Sequence, residues 1–425
     1  MKIVIGSDTY YPDVNGASYF SGRLAGGIRG RGHEVYVLCA SRSVRAEVVR
    51  RAGVIEHRLP SVPVPYYSGF RFSPPPFLFR RVLRGVEHIE PDVIHVQSHY
   101  FIGRALIRAA EKLDIPVVAT NHFMPDNLVH YLRLAERAEE AVVDHLWRDF
   151  TRVFNQADLI TAPTPFAARL IEEKGIDREV IPLSCGIDLS RFNVRNDGDR
   201  FRDKYGVPEQ PTCMYVGRLD AEKRVGDLIR ALSIVREEVD AQLVVVGDGH
   251  QRAELIELAE REGVEGYVIF TGFVEDEDLP GAYAASDVFC IASVTELQSI
   301  VTMEAMATGK PVIAADAKAL PHLVREGVNG HLFKPGDTGT LASRLAEILA
   351  DEGKRATMGK RSIEIVAQHD FEKVLTAFEE LYDLAILLRR GGGQITAFDG
   401  GPAGGTMTPR HDALRHETSD PRPAA

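Results

Sequence analysis

Two basic residues, Arg218 and Lys223, lie in the short segment Tyr215–Arg224, which reads YVGRLDAEKR. The apolar run before them predicts a strand that ends at Gly217, and a helical pattern follows. A loop at the carboxyl end of a strand and close to a helix N-terminus suits a diphosphate. Arginine binds phosphate through two N–H groups, and lysine adds a compact charge. We therefore predict that both residues hold a diphosphate; a solvated surface loop is the alternative.

Two carboxylates, Glu296 and Glu304, frame the predicted start of a helix within Ser293–Pro311. The apolar spacing predicts that this helix begins near Ser299, which leaves Glu296 in the preceding loop. Glu304 then lies about 7.5 Å along the helix axis, and the free N–H groups near Ser299 and Ile300 fall between the two carboxylates. Carboxylates accept hydrogen bonds from sugar or ribose hydroxyls. We predict hydroxyl contacts on either side of a phosphate site; two exposed glutamates on a helix are the alternative.

The first half of the chain contributes a turn and a histidine. The turn Tyr11–Ser18 joins the first predicted strand to a helix, and Gly16 would let the backbone approach an anion at the helix N-terminus. An ordinary strand–helix turn explains it equally well, and the segment is not a GxGxxG fingerprint. His122 follows another predicted strand and should point into a cleft beyond the strand ends. A core histidine bonded to the backbone is the alternative.

The elements that must position these residues alternate between apolar strand-like runs and helical patterns, which predicts α/β architecture with parallel sheets. The predicted strands are Lys2–Ile5, Glu34–Cys39, Val93–Val96, Pro116–Thr120, Leu159–Thr161, Val180–Pro182, Thr212–Val216, Gln242–Val246, Val268–Thr271, Val288–Ile291 and Val312–Ala314. We expect two Rossmann-like domains, 1–182 and 183–370. A returning helix would follow at 371–390 and a disordered tail at 391–425.

Bulk properties narrow the class of protein. The 425 residues carry a net charge of −11, so the surface as a whole does not attract nucleic acid by counterion release. The apolar run Ile3–Ile5 is too short for a secretory signal, and no stretch approaches the roughly 20 apolar residues of a membrane span. We expect a cytoplasmic protein, with any membrane contact peripheral and at the inner face of the cell membrane.

No metal site is expected. The four cysteines, Cys39, Cys185, Cys213 and Cys290, are scattered and indicate buried thiols in a reducing compartment. The Asp-x-Asp strings Asp197/Asp199 and Asp276/Asp278 fall in predicted linker or loop segments and are interpreted as solvated turns.

The chain resembles retaining glycosyltransferase family 4, the glycosyl transferases group 1, over essentially the whole of Lys2–Leu388. The segments that carry the resemblance are VGRLDAEKR at Val216–Arg224, GDG at Gly247–Gly249, TGFV at Thr271–Val274, the Glu296/Glu304 pair, and EAMATGKPVIA at Glu304–Ala314. The resemblance implies the GT-B fold, in which two Rossmann-like domains with parallel sheets face each other across a cleft.

The resemblance also implies roles for the second-half residues. Arg218 and Lys223 would hold the diphosphate of a nucleotide sugar. Glu296 would bind hydroxyls of the donor sugar, and Glu304 those of the ribose. Val274 would lie beside the nucleobase.

In the first half, Gly16 and its helix would close over the phosphates, and His122 would lie near the donor sugar. The family often has glycine two or three residues after its first glutamate, where backbone meets phosphate. This chain has Gln298 and Ser299 there. The N–H groups of Ser299 and Ile300 keep the phosphate role, but the sugar pocket is expected to be reshaped.

The implied activity is transfer of a hexose, glucose or mannose, from a UDP- or GDP-linked sugar to a hydroxyl acceptor with retention at the anomeric carbon. No cofactor or metal is expected, and the leaving phosphate would take the acceptor proton. A membrane lipid or glycolipid is the first acceptor considered, and a soluble sugar or glycan the second. A sugar-nucleotide epimerase and a non-catalytic binding protein are the rivals, because fold does not fix function.

The segment Tyr66–Arg84 interleaves aromatics with arginines. Its aromatic residues are Tyr66, Tyr67, Phe70, Phe72, Phe77 and Phe79, and its arginines are Arg71, Arg80, Arg81 and Arg84. Aromatic side chains suit the membrane interface, and arginines suit anionic headgroups. We predict docking on an anionic membrane; packing of the aromatics under the first domain is the alternative.

Overall fold

A computed structural model of the chain describes residues 1–13, 15–64, 71–124 and 136–391. The predicted tail beyond Gly391 lies outside the described residues, as do Tyr66, Tyr67 and Phe70. The strands are β1 (Lys2–Ser7), β2 (Glu34–Ala40), β3 (Glu47–Arg51), β4 (Val54–Leu59), β5 (Val62–Pro63), β6 (Arg71–Phe72), β7 (Val93–Val96), β8 (Val117–Thr120), β9 (Leu159–Ala162), β10 (Val180–Pro182), β11 (Thr212–Val216), β12 (Gln242–Val246), β13 (Val268–Gly272), β14 (Val288–Ile291), β15 (Val312–Ala315) and β16 (Gly330–Phe333).

Helices separate most of these strands. They are α1 (Gly16–Gly30), α2 (Pro75–Ile89), α3 (Phe101–Leu113), α4 (Glu136–Phe154), α5 (Pro165–Glu173), α6 (Asp199–Tyr205), α7 (Val225–Val235), α8 (Arg252–Arg261), α9 (Leu279–Ala284), α10 (Ile300–Ala307), α11 (Leu320–Leu323), α12 (Thr338–Ala350), α13 (Glu352–Val366) and α14 (Phe371–Gly391). None of the helices in the described ranges has the length and apolar character needed to cross a bilayer.

Two large sheets carry the fold. The first has the order β10-β9-β8-β7-β1-β2-β4-β3, and the second has the order β13-β12-β11-β14-β15-β16. Neighbouring strands in both sheets are parallel, except for the β3–β4 pair. Parallel strands covered by helices are buried on both faces, so they appear in the sequence as continuous apolar runs. The predicted α/β architecture with parallel sheets is confirmed.

The sequence prediction missed the β3–β4 hairpin. Strand β3 reads EVVRR and is largely exposed at the sheet edge, so it has no apolar run to reveal it. The hairpin turns through Ala52 and Gly53, both with positive φ (47° and 82°). Two-residue turns of that kind usually contain Asn-Gly or Asp-Gly, and this one has neither. The short strands β5, β6 and β16 were missed as well.

The apolar residues of helix α1 pack against the first sheet. Phe20, Leu24 and Ile28, spaced four residues apart on one face of the helix, are buried, with each side chain at most 1% exposed. These three residues pack with residues of β1 and with Phe378 of α14 in one apolar cluster on one face of the first sheet. Helix α7 likewise buries residues at three- and four-residue steps, namely Val225, Leu228, Ile229, Leu232 and Val235.

The chain passes between the two sheets twice, and the two passages touch. After β10, Ile187 donates a backbone hydrogen bond to His369 (2.8 Å) and accepts one from Phe371 (3.0 Å). Helix α14 then lies against the first sheet. Its Glu379 pairs with Arg31 (2.6 Å) and lies 2.7 Å from His33 Nε2.

The buried hydroxyl of Tyr382 joins α14 to the first sheet through His95 Nδ1, 2.8 Å away. Because neither side chain reaches water, Tyr382→Phe leaves a buried imidazole nitrogen without its partner. We expect this variant to lose about 1–2 kcal/mol of unfolding free energy. Tyr36→Phe, which removes an exposed hydroxyl, is the matched control for urea unfolding. Equal midpoints for the two variants would contradict a role of this bond in holding α14.

Candidate functional site

The site lies where neighbouring parallel strands end. Lys223 follows β11 and Glu296 follows β14, and these two strands are adjacent in the second sheet. The carboxyl ends of parallel strands open on one edge, so residues 73 positions apart in sequence come together there. The sequence placed each residue at a strand end, but it did not reveal that the two strands are neighbours.

Two glycines set the path of the Arg218 loop. A Cβ at Gly247 would lie 1.9 Å from the Gly217 carbonyl oxygen, and a Cβ at Gly249 would lie 2.6 Å from backbone atoms of Leu219. Gly217 and Gly247 also have positive φ, 152° and 133°. These positions therefore need glycine, because the loops after β11 and β12 pack backbone against backbone.

Arg218 and Lys223 occupy different environments. The Arg218 side chain is 46% exposed and pairs with Asp220 and with Glu222 (3.4 Å). The Lys223 side chain is only 18% exposed, and its Nζ lies 2.7 Å from Glu296 Oε1. Burial disfavours the charge of Glu296, but the charge and hydrogen bond of Lys223 outweigh it and hold the pKa of Glu296 below its ordinary value. The lysine and the carboxylate are thus an ion pair at neutral pH.

Glu304 has the opposite electrostatics. Burial raises its pKa to about 7, although the hydroxyl of Tyr283 donates to its Oε2 (2.6 Å) and the charges of Arg23 and Arg191 oppose the shift. Tyr283 and Arg23 were not singled out from the sequence. Tyr283 belongs to no motif, and the charge of Arg23 acts on Glu304 from the first domain.

The helix between the two carboxylates begins as predicted. Ser299 is the N-cap of α10, and its Oγ accepts from the N–H of Thr302 (3.4 Å). Ile300 is the first helical residue and is partly buried between the two domains' apolar clusters. Because α10 is the next element after β14, it starts near the carboxyl end of that strand, the edge at which Lys223 and Glu296 pair, and its first N–H groups have no partner within the helix.

His122 lies between residues of the first domain and Cys185, which belongs to the passage of the chain that follows β10; residues 184–186 of this passage are called the hinge segment. Its Nε2 donates to Gln97 Oε1 (2.7 Å), its Nδ1 lies 3.9 Å from Cys185 Sγ, and its ring packs 4.8 Å from that of Phe20. Burial lowers its pKa to about 4, so the imidazole is neutral at physiological pH. Its partners are side chains rather than the backbone that the core-histidine alternative supposed. Gln97 follows β7, next to β8, and sequence reasoning missed it.

Gly16 and Val274 lie at the two sides of the cleft. Gly16 opens α1, whose N-cap Asn15 accepts from Ser18 N–H (2.9 Å). The Val274 side chain is 4% exposed and packs in the core of the second domain, whereas its neighbour Phe273 is 53% exposed. A ligand beside this loop would therefore meet the Val274 backbone and the Phe273 ring.

Helix α1 reaches across the cleft. Arg23 Nη2 donates to the carbonyl oxygens of Cys185 (3.1 Å) and Gly186 (2.8 Å). Burial, followed by the charge of and hydrogen bond to Asp276, raises the pKa of Tyr19 to about 12. Both contacts bring the first domain within reach of the residues around Glu304.

The Asp-x-Asp strings lie on the surface. Asp197, Asp199 and Asp276 are exposed, and Asp278 pairs with Lys204 (2.5 Å). Among the residues that the structure describes, no group of three or more His, Cys, Asp or Glu side chains is arranged to hold a metal ion. The four cysteines are buried and free, as predicted.

The raised pKa of Glu304 predicts a pH-dependent cost to the fold. Between its ordinary value of 4.5 and about 7, the folded state binds a proton that the unfolded chain has released. The unfolding free energy therefore falls as pH rises through this window. Glu304→Gln removes the charge and keeps an acceptor for Tyr283. We expect the unfolding free energy of Glu304→Gln, relative to that of wild type, to be higher at pH 8 than at pH 4.5 by on the order of 2 kcal/mol. Urea unfolding at the two pH values measures this difference. A pH-independent difference would contradict a buried, proton-binding Glu304.

Two family descriptions together match most of the chain. Glycosyltransferase Family 4 matches residues 14–191, which include Gly16 and His122. Glycosyl transferases group 1 matches residues 197–365, which include Arg218, Lys223 and Glu296.

Similar proteins of known activity cover nearly the same length. The chain is 30% identical over 370 residues to a GDP-mannose-dependent alpha-mannosyltransferase of Mycolicibacterium smegmatis (85% of this chain, 92% of that protein). It is 27% identical over 381 residues to the alpha-monoglucosyldiacylglycerol synthase of Streptococcus pneumoniae (88% and 84%).

Solved structures show the same fold. A sucrose-phosphate synthase of Thermosynechococcus elongatus superposes with a TM-score of 0.74 at 22% identity, covering 90% of this chain and 99% of that one. Anabaena HepE, in complex with UDP and glucose, gives a TM-score of 0.72 at 22% identity, with 90% and 100% covered. The motifs, the two facing sheets and these matches together show that the chain belongs to glycosyltransferase family 4, the glycosyl transferases group 1, and has the GT-B fold.

Proposed function

We propose that this protein is a retaining, metal-independent hexosyltransferase. It moves glucose or mannose from a UDP- or GDP-linked sugar to a hydroxyl of a membrane lipid or glycolipid. The observation that carries the proposal is the 2.7 Å pair between Lys223 and Glu296 at the N-terminus of α10. The pair places a cation and a carboxylate close to the backbone N–H groups of the helix start, at one edge of the second sheet. A sugar diphosphate requires these groups for its phosphates and its hydroxyls.

The donor is bound in parts. Arg218 and Lys223 hold the diphosphate, with the backbone N–H groups of Ser299 and Ile300 at the helix start. Glu296 accepts from hydroxyls of the sugar, and Glu304 accepts from hydroxyls of the ribose. The base lies against the backbone of Val274. The N-terminus of α1 at Gly16 covers the phosphates from the facing domain.

In the reaction, the bond between the anomeric carbon and the phosphate oxygen breaks while the acceptor oxygen bonds to the same face of the sugar. The acceptor proton passes to the leaving phosphate. Arg218 and Lys223 stabilise the charge that develops on that phosphate, so no metal ion is needed. His122, whose imidazole is neutral at the pH of the cell, orients a sugar hydroxyl by hydrogen bonding and does not take the acceptor proton.

The relatives support the substrate classes. One is named for GDP-mannose and others for glucosyl transfer to diacylglycerol. A fold neighbour is described with UDP-glucose. Both nucleotide sugars and a lipid hydroxyl are therefore the substrates to test first.

The test is a transfer assay with UDP-glucose or GDP-mannose and diacylglycerol or glycolipid vesicles, in excess EDTA. We expect a product whose anomeric configuration matches that of the donor. In the same assay, Arg218→Ala and Lys223→Ala should each lose a factor on the order of 100 in rate. The control Lys360→Ala, which changes an exposed lysine of α13, should keep the wild-type rate. Normal turnover by folded Lys223→Ala, or activity that returns only with magnesium or manganese, would refute the assignment.

The predicted docking segment is only partly available for a membrane. Phe72 packs edge-on against Phe101 (4.5 Å), and Phe79 lies under Arg108 (4.8 Å). Arg71 is turned inward, where its Nε donates to Ser41 O (2.8 Å). These three contacts follow the packing alternative.

The exposed face of α2 keeps the docking prediction open. Phe77 is 71% exposed, and Arg80, Arg81 and Arg84 are exposed along the same helix. Three arginines contribute about 1 kcal/mol each at an anionic leaflet, and an inserted phenylalanine adds apolar burial. We propose that this face of α2 brings the enzyme to its lipid acceptor.

Liposome co-sedimentation tests the docking face. Wild type should sediment with phosphatidylglycerol vesicles, and more weakly as salt is raised because the charges are screened. The Arg80/Arg81/Arg84→Glu variant should stay in the supernatant, whereas Arg252→Glu, on α8 of the other domain, should sediment as wild type does. Equal sedimentation of all three proteins would rule out docking through α2.

A further inference from the structure

The loop that carries Glu296 is held from outside its own domain. Leu297 is 8% exposed and packs in the apolar cluster of the first domain, although it belongs to the chain of the second. Its carbonyl oxygen accepts from Thr164 Oγ1, at the start of α5 (2.8 Å). One residue after the sugar-site carboxylate, the chain is therefore anchored in the facing domain.

Gln298 makes a second anchor, at the hinge. Its Oε1 accepts from the N–H of Cys185 (2.7 Å), and its Nε2 donates to Ser184 Oγ (3.0 Å). The same Ser184 Oγ accepts from Gly186 N–H (3.0 Å) and lies 2.9 Å from His369 Nδ1. Residues 184–186 and 369 belong to the two passages of the chain between the domains. Gln298 thus reaches the point at which both passages meet.

We propose that Gln298 is a positioning residue that couples the hinge segment 184–186 to the loop that carries Glu296, and so holds Glu296 in its pair with Lys223. The hydrogen bonds of Gln298 tie the loop that carries Glu296 to the hinge segment 184–186. Glycine, which the family often has at this place, has no side chain to do so. The coupling itself is a property of the fold, and its effect on catalysis rests on the proposed function.

Most of the phosphate grip lies outside the segment that Gln298 anchors. The loops after β11 and β12, whose glycines pack within the second domain, set Arg218 and the backbone position of Lys223. Loss of the Gln298 side chain should therefore disturb Glu296 more than it weakens nucleoside diphosphate binding. A general loss of stability would instead weaken both.

Hydrogen–deuterium exchange tests the coupling without any assay of activity. In Gln298→Ala, peptides spanning 183–187 and 293–299 should both exchange faster than in wild type. In the control Gln156→Ala, an exposed glutamine on the far side of the first domain, neither should change. Faster exchange of 293–299 alone, with 183–187 unchanged, would overturn the coupling.

Kinetics test the positioning role. We expect Gln298→Ala to lower kcat by about 10- to 100-fold, the effect of a misplaced reacting group. The donor KM and the Kd of UDP or GDP should change by a much smaller factor than kcat, because Arg218 and Lys223 stay in place. Ser184→Ala removes the partner instead, and the double variant should be no slower than the slower single one. Additive losses, or equal weakening of nucleotide binding, would contradict the proposal. If wild type transfers no sugar, the proposed function fails, and the exchange result still decides the coupling.

Discussion

The ion pair between Lys223 and Glu296 is the contact on which the rest of the site depends. It exists because β11 and β14 are neighbours in a parallel sheet and both end at the same edge. The glycines at 217, 247 and 249 let the adjoining loops pack closely enough to hold Arg218 beside it. The start of α10 then adds backbone N–H groups between Glu296 and Glu304. Together these features place positive charge, and carboxylates that can accept hydrogen bonds from hydroxyl groups, at one edge of the second sheet.

The two glutamates, eight residues apart in sequence, are held in opposite electrostatic states. Lys223 keeps the pKa of Glu296 low, whereas burial raises that of Glu304 to about 7. In the function proposed above, a charged Glu296 suits a position beside a sugar whose anomeric carbon gains positive charge. Glu304, with Tyr283 as its partner, would there accept hydrogen bonds from ribose hydroxyls. Environment thus divides one residue type between two tasks.

The contacts that residues 184–186 make with both domains form a polar seam. The segment 184–186 is contacted by Arg23 from α1, by Gln298 from the carboxylate loop, and by His369 ahead of α14. On the other side of the seam, a hydrogen-bonded chain runs from Tyr382 through His95 and Gln97 to His122. Buried polar networks of this kind favour one arrangement, because each unmatched bond in a low dielectric is costly. The seam therefore connects the segment 184–186 to the loop that carries Glu296.

The sequence by itself determined the α/β class, most strands and helices, and the candidate site residues. Apolar periodicity and position at a strand end are local signals. Buried parallel strands show them clearly, because they appear as continuous apolar runs. It could not find the β3–β4 hairpin, whose strand is exposed and polar. Nor could it show that Gln97 accepts from His122, that Arg23 donates to Cys185 and Gly186, or that Gln298 accepts from Cys185. Those contacts join residues far apart in the chain, and strand order and domain packing alone bring them together. Which of the aromatics near α2 are buried was likewise decided by the sheet against which they pack.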